Sequence, residues 1–459
     1  MPPAPPAEAD AARPWIPYAV IAAAVLAAYA NALGACFQFD DWNVIVDQPR
    51  VGGFAAWWAS MPGIRPLLKL SYALNNAAGW GAAGFHAVNV AIHLANSWLL
   101  FVLFARAGRA AKGAAPQATN GGVPRVAALA GALLFALHPV QTEAVTYVSG
   151  RSNVLMALLA LASILAWSGG RRFAAPALLA AALLVKETAA VLPLALLLLA
   201  VTVLPERGVR SVLPHLALLG AAACAAIASP TYRRLFATSL GARGIGANLL
   251  TQAHGVIYLM GQMVRPDRLN ADPMLPVFES WTPRLVLEAA FIMALIAFGF
   301  ASIRPRPALA FGILWFFAWL LPTNSLLPRL DVVNDRQLYL ALAGPAWLVA
   351  CAVGTVAARR HPVAALAPAL VLAVALGAAT HVRNRVYADE VVFWEDVARK
   401  SPHNGRALNN LGYTLALAAR NDEAEAAFLG ALTLDPADVR AAVNLRLLRE
   451  GALAIARPR

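Results

Sequence analysis

A succession of long apolar runs, separated by short polar loops, decides what this chain is able to become. The runs fall at about 15-36, 86-105, 126-142, 152-168, 173-186, 188-204, 211-229, 284-303, 307-322, 338-356 and 362-380. About 20 apolar residues cross a bilayer as one helix, and several runs approach that length. In hydrocarbon each backbone N–H and C=O must be satisfied within its own segment, so such a chain folds as a bundle of helices. Charged residues make up 13% of the chain, against about 25% in soluble domains. The expected fold class is all-α: a polytopic membrane helical bundle of about eleven transmembrane helices. A further run near 249-264 carries Gln252, His254 and Gln262 and reads as re-entrant or interfacial.

The net charge is +13. The positives sit in short loops between apolar runs, and no basic stripe interleaved with aromatics is present, which argues against a nucleic-acid partner. The pattern is the positive-inside bias that sets orientation. With an odd number of spans, Arg13, the Arg106/Arg109/Lys112/Arg125 loop, Arg171-Arg172, Arg207/Arg210, Arg304/Arg306 and Arg359-Arg360 all fall on the cytoplasmic side. The N-terminus is then cytoplasmic. The first outer loop 37-85, segment 230-283, loop 323-337 and the C-terminal tail share the outer face. Met1 to Pro14 lacks the compact basic stretch of a cleaved signal, so the first run reads as a retained signal-anchor. Cys36, Cys224 and Cys351 show no pairing or ligand spacing and read as small buried hydrophobes.

From about His381 the chain turns charged. Residues 1-380 are expected to form the membrane domain and 381-459 a C-terminal segment. Within the latter, Leu408-x2-Leu411-Gly412-x2-Leu415 followed by Ala424, Phe428, Ala431 and Pro436 has the small/large spacing of one tetratricopeptide (TPR) repeat. Residues 440-452 read as the start of a second repeat or as a cap. Stacking supplies the core of such repeats, so a lone one must lean on the membrane domain, on flanking helices or on a partner.

Polar residues that interrupt apolar runs are the clues to chemistry, because each ionised group at bilayer depth costs roughly 2.5–3.5 kcal/mol on insertion scales. Four clusters stand out. The first outer loop holds Asp40, Asp41, Asn43, Asp47, Arg65-Pro66, Asn75-Asn76 and Gly84-Phe85-His86. The third run ends in His138-Pro139-Val140-Gln141-Thr142-Glu143, with Gly150-Arg151 beyond. Lys186-Glu187-Thr188 breaks an apolar stretch. Pro322-Thr323-Asn324-Ser325 precedes Asp331, Asn334, Asp335, Arg336 and Gln337. Each cluster also has a plain structural reading. Lys186-Glu187 would mark an interfacial turn with a snorkelling lysine. His138 would end a helix, His86 and His93 would face the bundle interior, and Asp40-Asp41 would cap a loop. Their convergence on one outer face favours a polar cavity there.

The ordered motifs resemble a known family. Phe39-Asp40-Asp41 with Ile45 and Val46, Arg65-Pro66-Leu67, Gly84-Phe85-His86-x2-Asn89-x3-His93, Leu137 to Val145 with Gly150-Arg151, Lys186-Glu187, Leu327-Pro328, Asp335-Arg336, Tyr339-Leu340 and the terminal repeat together resemble the transmembrane and TPR O-mannosyltransferases (TMTC-like). These are a branch of the GT-C glycosyltransferases, and the chain looks like a bacterial-type member. The resemblance implies a GT-C bundle in the bacterial inner membrane with its TPR segment in the periplasm. It implies transfer, with inversion, of a sugar, mannose among the options, from a polyprenyl-phosphate-linked donor to an acceptor hydroxyl on protein or glycan. An acid of the first outer loop serves as base there, the place of Asp40 and Asp41. The animal members carry many repeats, whereas this chain has about one.

The residues suit that reaction on their own terms. A carboxylate must take the hydroxyl proton as the bond forms. Two adjacent desolvated acids raise each other's pKa, which allows one base and one structural or cation-binding partner. The leaving phosphate needs cations, and Arg65, Arg151, Lys186 and Arg336 are the candidates. His86, His138, Glu143, Glu187 and Asp335 are candidates for the rest of the pocket. No ligand spacing demands a metal, although the aspartates with His138 or Glu143 could hold a divalent one. No other cofactor is expected. Two rival readings are a transporter or lipid flippase, which would show paired broken-helix repeats, and a non-enzymatic assembly factor that recruits a partner through its repeat.

Overall fold

The computed structural model describes residues 14–61, 63–110, 122–359 and 362–453. Residues 1–13, Lys112 and Arg360 lie outside the described residues, and with them part of the expected cytoplasmic charge. Among the described residues all regular structure is helical, as the apolar pattern requires.

Helix α1 (Ile16–Tyr29) leads into the first outer loop, which holds the short α2 (Phe54–Ala59) and α3 (Pro66–Ala78). This segment is therefore largely helical, and the next span, α4 (Gly81–Ala110), starts earlier than its apolar run suggests. Then follow α5 (Gly122–Leu137), the single turn α6 (Thr142–Val145), α7 (Arg151–Ser168), α8 (Ala174–Val185), α9 (Leu192–Val201) and α10 (Leu213–Ala228). Segment 230-283 contains α11 (Pro230–Ala242) and α12 (Ile245–Val264), before α13 (Pro283–Ala301), α14 (Pro307–Leu320), the turn α15 (Leu338–Ala341), α16 (Ala343–Arg359) and α17 (Pro362–Asn384). The tail is α18 (Glu390–Lys400), α19 (Gly405–Leu417), α20 (Asn421–Leu434) and α21 (Val439–Arg449). Helix α17 runs past the expected boundary at 380.

Each apolar run is helical, and the helices differ in how readily their length alone would span a bilayer. By length and composition 6 helices can cross a membrane, or up to 8 if each of two bent pairs is one crossing. Ala174–Val185, Glu187–Val201 and Pro307–Leu320 are apolar but shorter. Helix α12 starts four residues before the 249-264 run, and its polar residues Asn248, Gln252, His254 and Gln262 are buried. The cysteine reading also needs correction: Cys36 and Cys351 are only half-buried and Cys224 is exposed.

The bundle core forms where α5 packs among α1, α4, α16 and α17. Gly131 permits this approach, since a Cβ there would lie 2.8 Å from the Ala346 carbonyl oxygen. A buried polar knot pins α4 to α15: His93 Nδ1 lies 2.8 Å from the Tyr339 hydroxyl, and Asn96 donates to the same oxygen at 2.9 Å. His93 is thus a satisfied interior histidine. Two sharp breaks prepare the site. Pro139 removes an N–H and the chain bends 50° between α5 and the turns that follow, and the chain bends 46° between α15 and α16.

In the tail, Gly412 of α19 faces Phe428 of α20, where an added Cβ would meet the ring at 2.7 Å. Helix α21 packs on both. The lone repeat does lean on the membrane domain. Lys400 donates to the Leu269 carbonyl at 2.7 Å, Asn404 to Asp272 Oδ2 at 3.0 Å, and Arg406 to Asp331 at 2.8 Å.

Candidate functional site

The segment Thr142 to Gly150, between the Pro139 break and α7, is the floor on which the first outer loop rests. Gly150 lets it fold tightly, for a Cβ there would lie 2.5 Å from the Glu143 carbonyl oxygen. Asp41 is fully buried and faces this floor. Its Oδ1 accepts from the Ser149 N–H at 2.7 Å and the Ser149 hydroxyl at 2.5 Å, and its Oδ2 accepts from the Gln38 N–H at 3.0 Å. Burial pushes the Asp41 carboxyl up to about 7, with a small addition from Asp40, against the pull of those donated hydrogen bonds.

Asp40 is placed differently. It is half-buried, its backbone N–H donates to the Tyr147 hydroxyl at 3.0 Å, and among the described residues nothing donates to its carboxylate. The backbone just before it is strained: Phe39 has φ +43°, the left-handed region that a bulky side chain avoids. On the other side of Tyr147 stands Arg336, its guanidinium 5.5 Å from the ring centroid. The Arg336 backbone N–H donates to Glu143 at 3.0 Å and its side chain pairs with the same carboxylate at 3.5 Å. Asp40 and Arg336 therefore flank one tyrosine, close enough to attract each other electrostatically.

More cations gather here. Lys186 is buried where the chain turns out of α8, and its Nζ donates to Asn153 Oδ1 of α7 at 2.6 Å. It lies within Coulombic reach of Arg65, Arg329 and Arg336. Arg65, at the start of α3, holds Glu187 in a two-pronged ion pair at 2.9 and 2.7 Å. Among the described residues neither Lys186 nor Arg329 has a carboxylate within ion-pair distance. Four basic side chains thus meet two committed acids, Glu187 and Glu143, and the basic cluster reaches Asp40 through Arg336.

Other expected site residues are engaged elsewhere. Arg151 is fully enclosed and donates to Asn89 Oδ1 at 2.7 Å, Asn75 Oδ1 at 2.6 Å, the Ser71 carbonyl at 3.1 Å and the Phe85 carbonyl at 2.9 Å. Its guanidinium also lies over the Tyr72 and Phe85 rings at 5.0 and 5.1 Å. It clamps α3, α4 and α7 together and is not open to a phosphate. His138 accepts from the Val140 N–H at 3.2 Å, so its Nε2 donates to the Met263 carbonyl at 2.9 Å; it caps the helix break. His86 is buried behind the first outer loop. Asp335 accepts from Gln262 and from the Asn270 N–H, both at 3.2 Å, and so ties α12 to the loop that carries Arg336. Among the described residues no three His, Cys, Asp or Glu side chains form a set for a metal, and both ring nitrogens of His138 are engaged by Val140 and Met263.

Sequence reasoning missed Tyr147, Ser149 and Arg329. Tyr147 and Ser149 lie inside the Glu143 to Arg151 stretch, and Arg329 follows Leu327-Pro328, so proximity to quoted motifs was a usable signal.

Comparison with known proteins comes from sequence. The chain is 32% identical over 184 residues to the protein O-mannosyl-transferase Tmtc1 of Drosophila melanogaster, covering 35% of this chain and 20% of that protein. It is 31% identical over 169 residues to human protein O-mannosyl-transferase TMTC4, covering 32% of this chain and 22% of that protein. Drosophila Tmtc2 is 34% identical over 191 residues, covering 35% and 19%. These matches bear out the TMTC-like resemblance, and they span about a fifth of the length of those relatives. No family model and no solved structure matches the chain.

Proposed function

We propose that this chain is a multi-pass membrane glycosyltransferase that moves a sugar from a polyprenyl-phosphate donor to a hydroxyl on a protein acceptor, with Asp40 as the base. The observation that carries this reading is the Asp40 carboxylate, unbonded among the described residues and placed at the hydroxyl of the tyrosine that Arg336 covers, with Lys186 and Arg329 in reach of Arg336 and, among the described residues, without an acid at ion-pair distance. The names of the relatives support a mannosyl donor and a protein acceptor. Placement of the site on the outer face rests on the charge bias of the loops, the bacterial inner membrane on the family resemblance, and the 381-459 segment is read as the periplasmic TPR-like unit.

The chemistry follows from the groups. The acceptor oxygen attacks the anomeric carbon while Asp40 takes its proton. The bond from that carbon to the phosphate oxygen breaks on the opposite face, which inverts the centre. The lipid monophosphate leaves with the bonding electrons, and Lys186, Arg329 and Arg336, with Arg65 at the rim, stabilise its growing charge. Asp41 has another duty. Three donors hold it against Ser149 and Gln38, so it fixes the loop that presents Asp40.

The deciding experiment uses purified protein in liposomes with polyprenyl-phosphate sugars. Asp40→Asn should lose turnover while still binding donor. An Asp40→Asn protein that is folded and fully active would overturn the base assignment. Absence of both turnover and donor binding in the wild type, across a panel of sugars, would overturn the transferase.

A further inference from the structure

We infer that the C-terminal tail completes the site: Trp394 and Arg406 are positioning residues that grip Phe39 and so aim the Asp40 carboxylate. The inference rests on the reading of Asp40 as base.

Phe39 adopts a left-handed backbone that its bulk disfavours, and such a conformation persists only where the surroundings over-determine it. The surroundings here are the tail. The Trp394 ring of α18 meets the Phe39 ring edge-on, centroids 5.2 Å apart at 86°, and is backed by Phe393 at 5.1 Å. The Arg406 guanidinium of α19 lies over the Phe39 ring, 5.7 Å from its centroid. Arg406 is itself fixed, its Nε donating to Asp272 at 2.9 Å and its Nη2 to Asp331 at 2.8 Å. Two residues beyond Asp40, the Trp42 indole donates to Glu390 of α18 at 2.8 Å. The tail thus holds the chain on both sides of Asp40, while Tyr147 holds the Asp40 backbone.

The anchorage of α18 is strong enough for this duty. Asp396 accepts from Arg383 at 2.6 Å and from Lys400 at 2.8 Å. Arg383 belongs to α17 and lies within Coulombic reach of Asp335, so α18 is locked to the last span. An appended module that only recruits acceptor would need none of these contacts with Phe39 and Trp42. Small misplacements of a reacting group lower rate far more than affinity, so the grip should be read in kcat.

The test uses the full chain in liposomes with polyprenyl-phosphate mannose as the probe and release of labelled mannose as the readout. Trp394→Ala and Arg406→Met should each lower kcat about ten- to a hundredfold with donor KM unchanged. Trp394→Phe should recover most of the loss, and Arg406→Lys part of it. Unchanged kcat in both severe variants, or a loss confined to donor KM, overturns the proposal. A second arm needs no turnover. Cys36 immediately precedes this loop, its Sγ accepting from the Gln38 amide at 3.1 Å. In a Cys224→Ala, Cys351→Ala background, its reaction with a water-soluble thiol reagent should speed up severalfold on Trp394→Ala and return with Trp394→Phe. Equal rates overturn the grip. Faster labelling in a protein whose wild type transfers no sugar would sink the assigned reaction and leave the grip standing.

Discussion

Two polar clusters lie on either side of the short Thr142 to Gly150 segment, and they differ in one respect. Around Arg151 every guanidinium nitrogen meets an oxygen of the protein, from the Asn75 and Asn89 amides to the carbonyls of Ser71 and Phe85. Around Arg336 the charges do not close: among the described residues Lys186 and Arg329 have no acid within ion-pair distance, and nothing donates to the Asp40 carboxylate. The same residue types serve opposite ends. A cation whose hydrogen bonds are complete contributes stiffness between helices. A cation left short of partners keeps its field available for a ligand, and a chain keeps such an unfinished cluster only at a loss of stability.

The contrast can be broken by mutation. The largest effect should come from Asp40→Asn, which is expected to lower kcat by about 10²–10⁴-fold while the melting temperature stays put; a comparable loss in both would place Asp40 with the structural group. Next comes Arg151→Met. Leaving four buried oxygens without their donor should cost about 3 kcal/mol or more, read as a lower melting temperature in detergent, and turnover per folded molecule should fall less than for Asp40→Asn. Arg329→Gln should do the reverse, lowering kcat about tenfold through lost charge on the leaving phosphate at unchanged melting temperature. The smallest effect concerns pH. The Asp41 carboxyl is raised in the folded protein to about 7, so its neutral form is favoured by folding. Its contribution to stability is complete below its unfolded pKa, near 4, and is lost as pH rises through about 7. Melting temperatures between pH 5 and pH 8 should therefore fall less in Asp41→Asn than in the wild type, and parallel curves would show that Asp41 does not titrate there.

Much of the fold was legible because hydrophobicity is a local property. The apolar runs mark their helices, and the Pro139 and Lys186 interruptions mark breaks that became the walls of the site. Helix α12 was hard to read for an instructive reason. Gln252 donates to the Val332 carbonyl and accepts from Asn324, and His254 meets Glu288. Those side chains lower the hydropathy of a helix whose polar face is turned to protein. The site was legible as a set of charged types and illegible as a set of partners. Arg151 and Arg336 look alike in sequence, and only the arrival of Asn75 and Asn89 beside the first separates them. The grip on Phe39 was beyond reach, since it joins residues more than three hundred positions apart in the chain.

The order of the tail helices bears on how such a chain can change over generations. Helices α18 and α19 carry the contacts to the loop, and α20 and α21 stack outward from them. Helix pairs gained or lost on that outer side would leave the contacts to Phe39 and Trp42 untouched. The length of the tail can then drift while the loop it holds stays fixed.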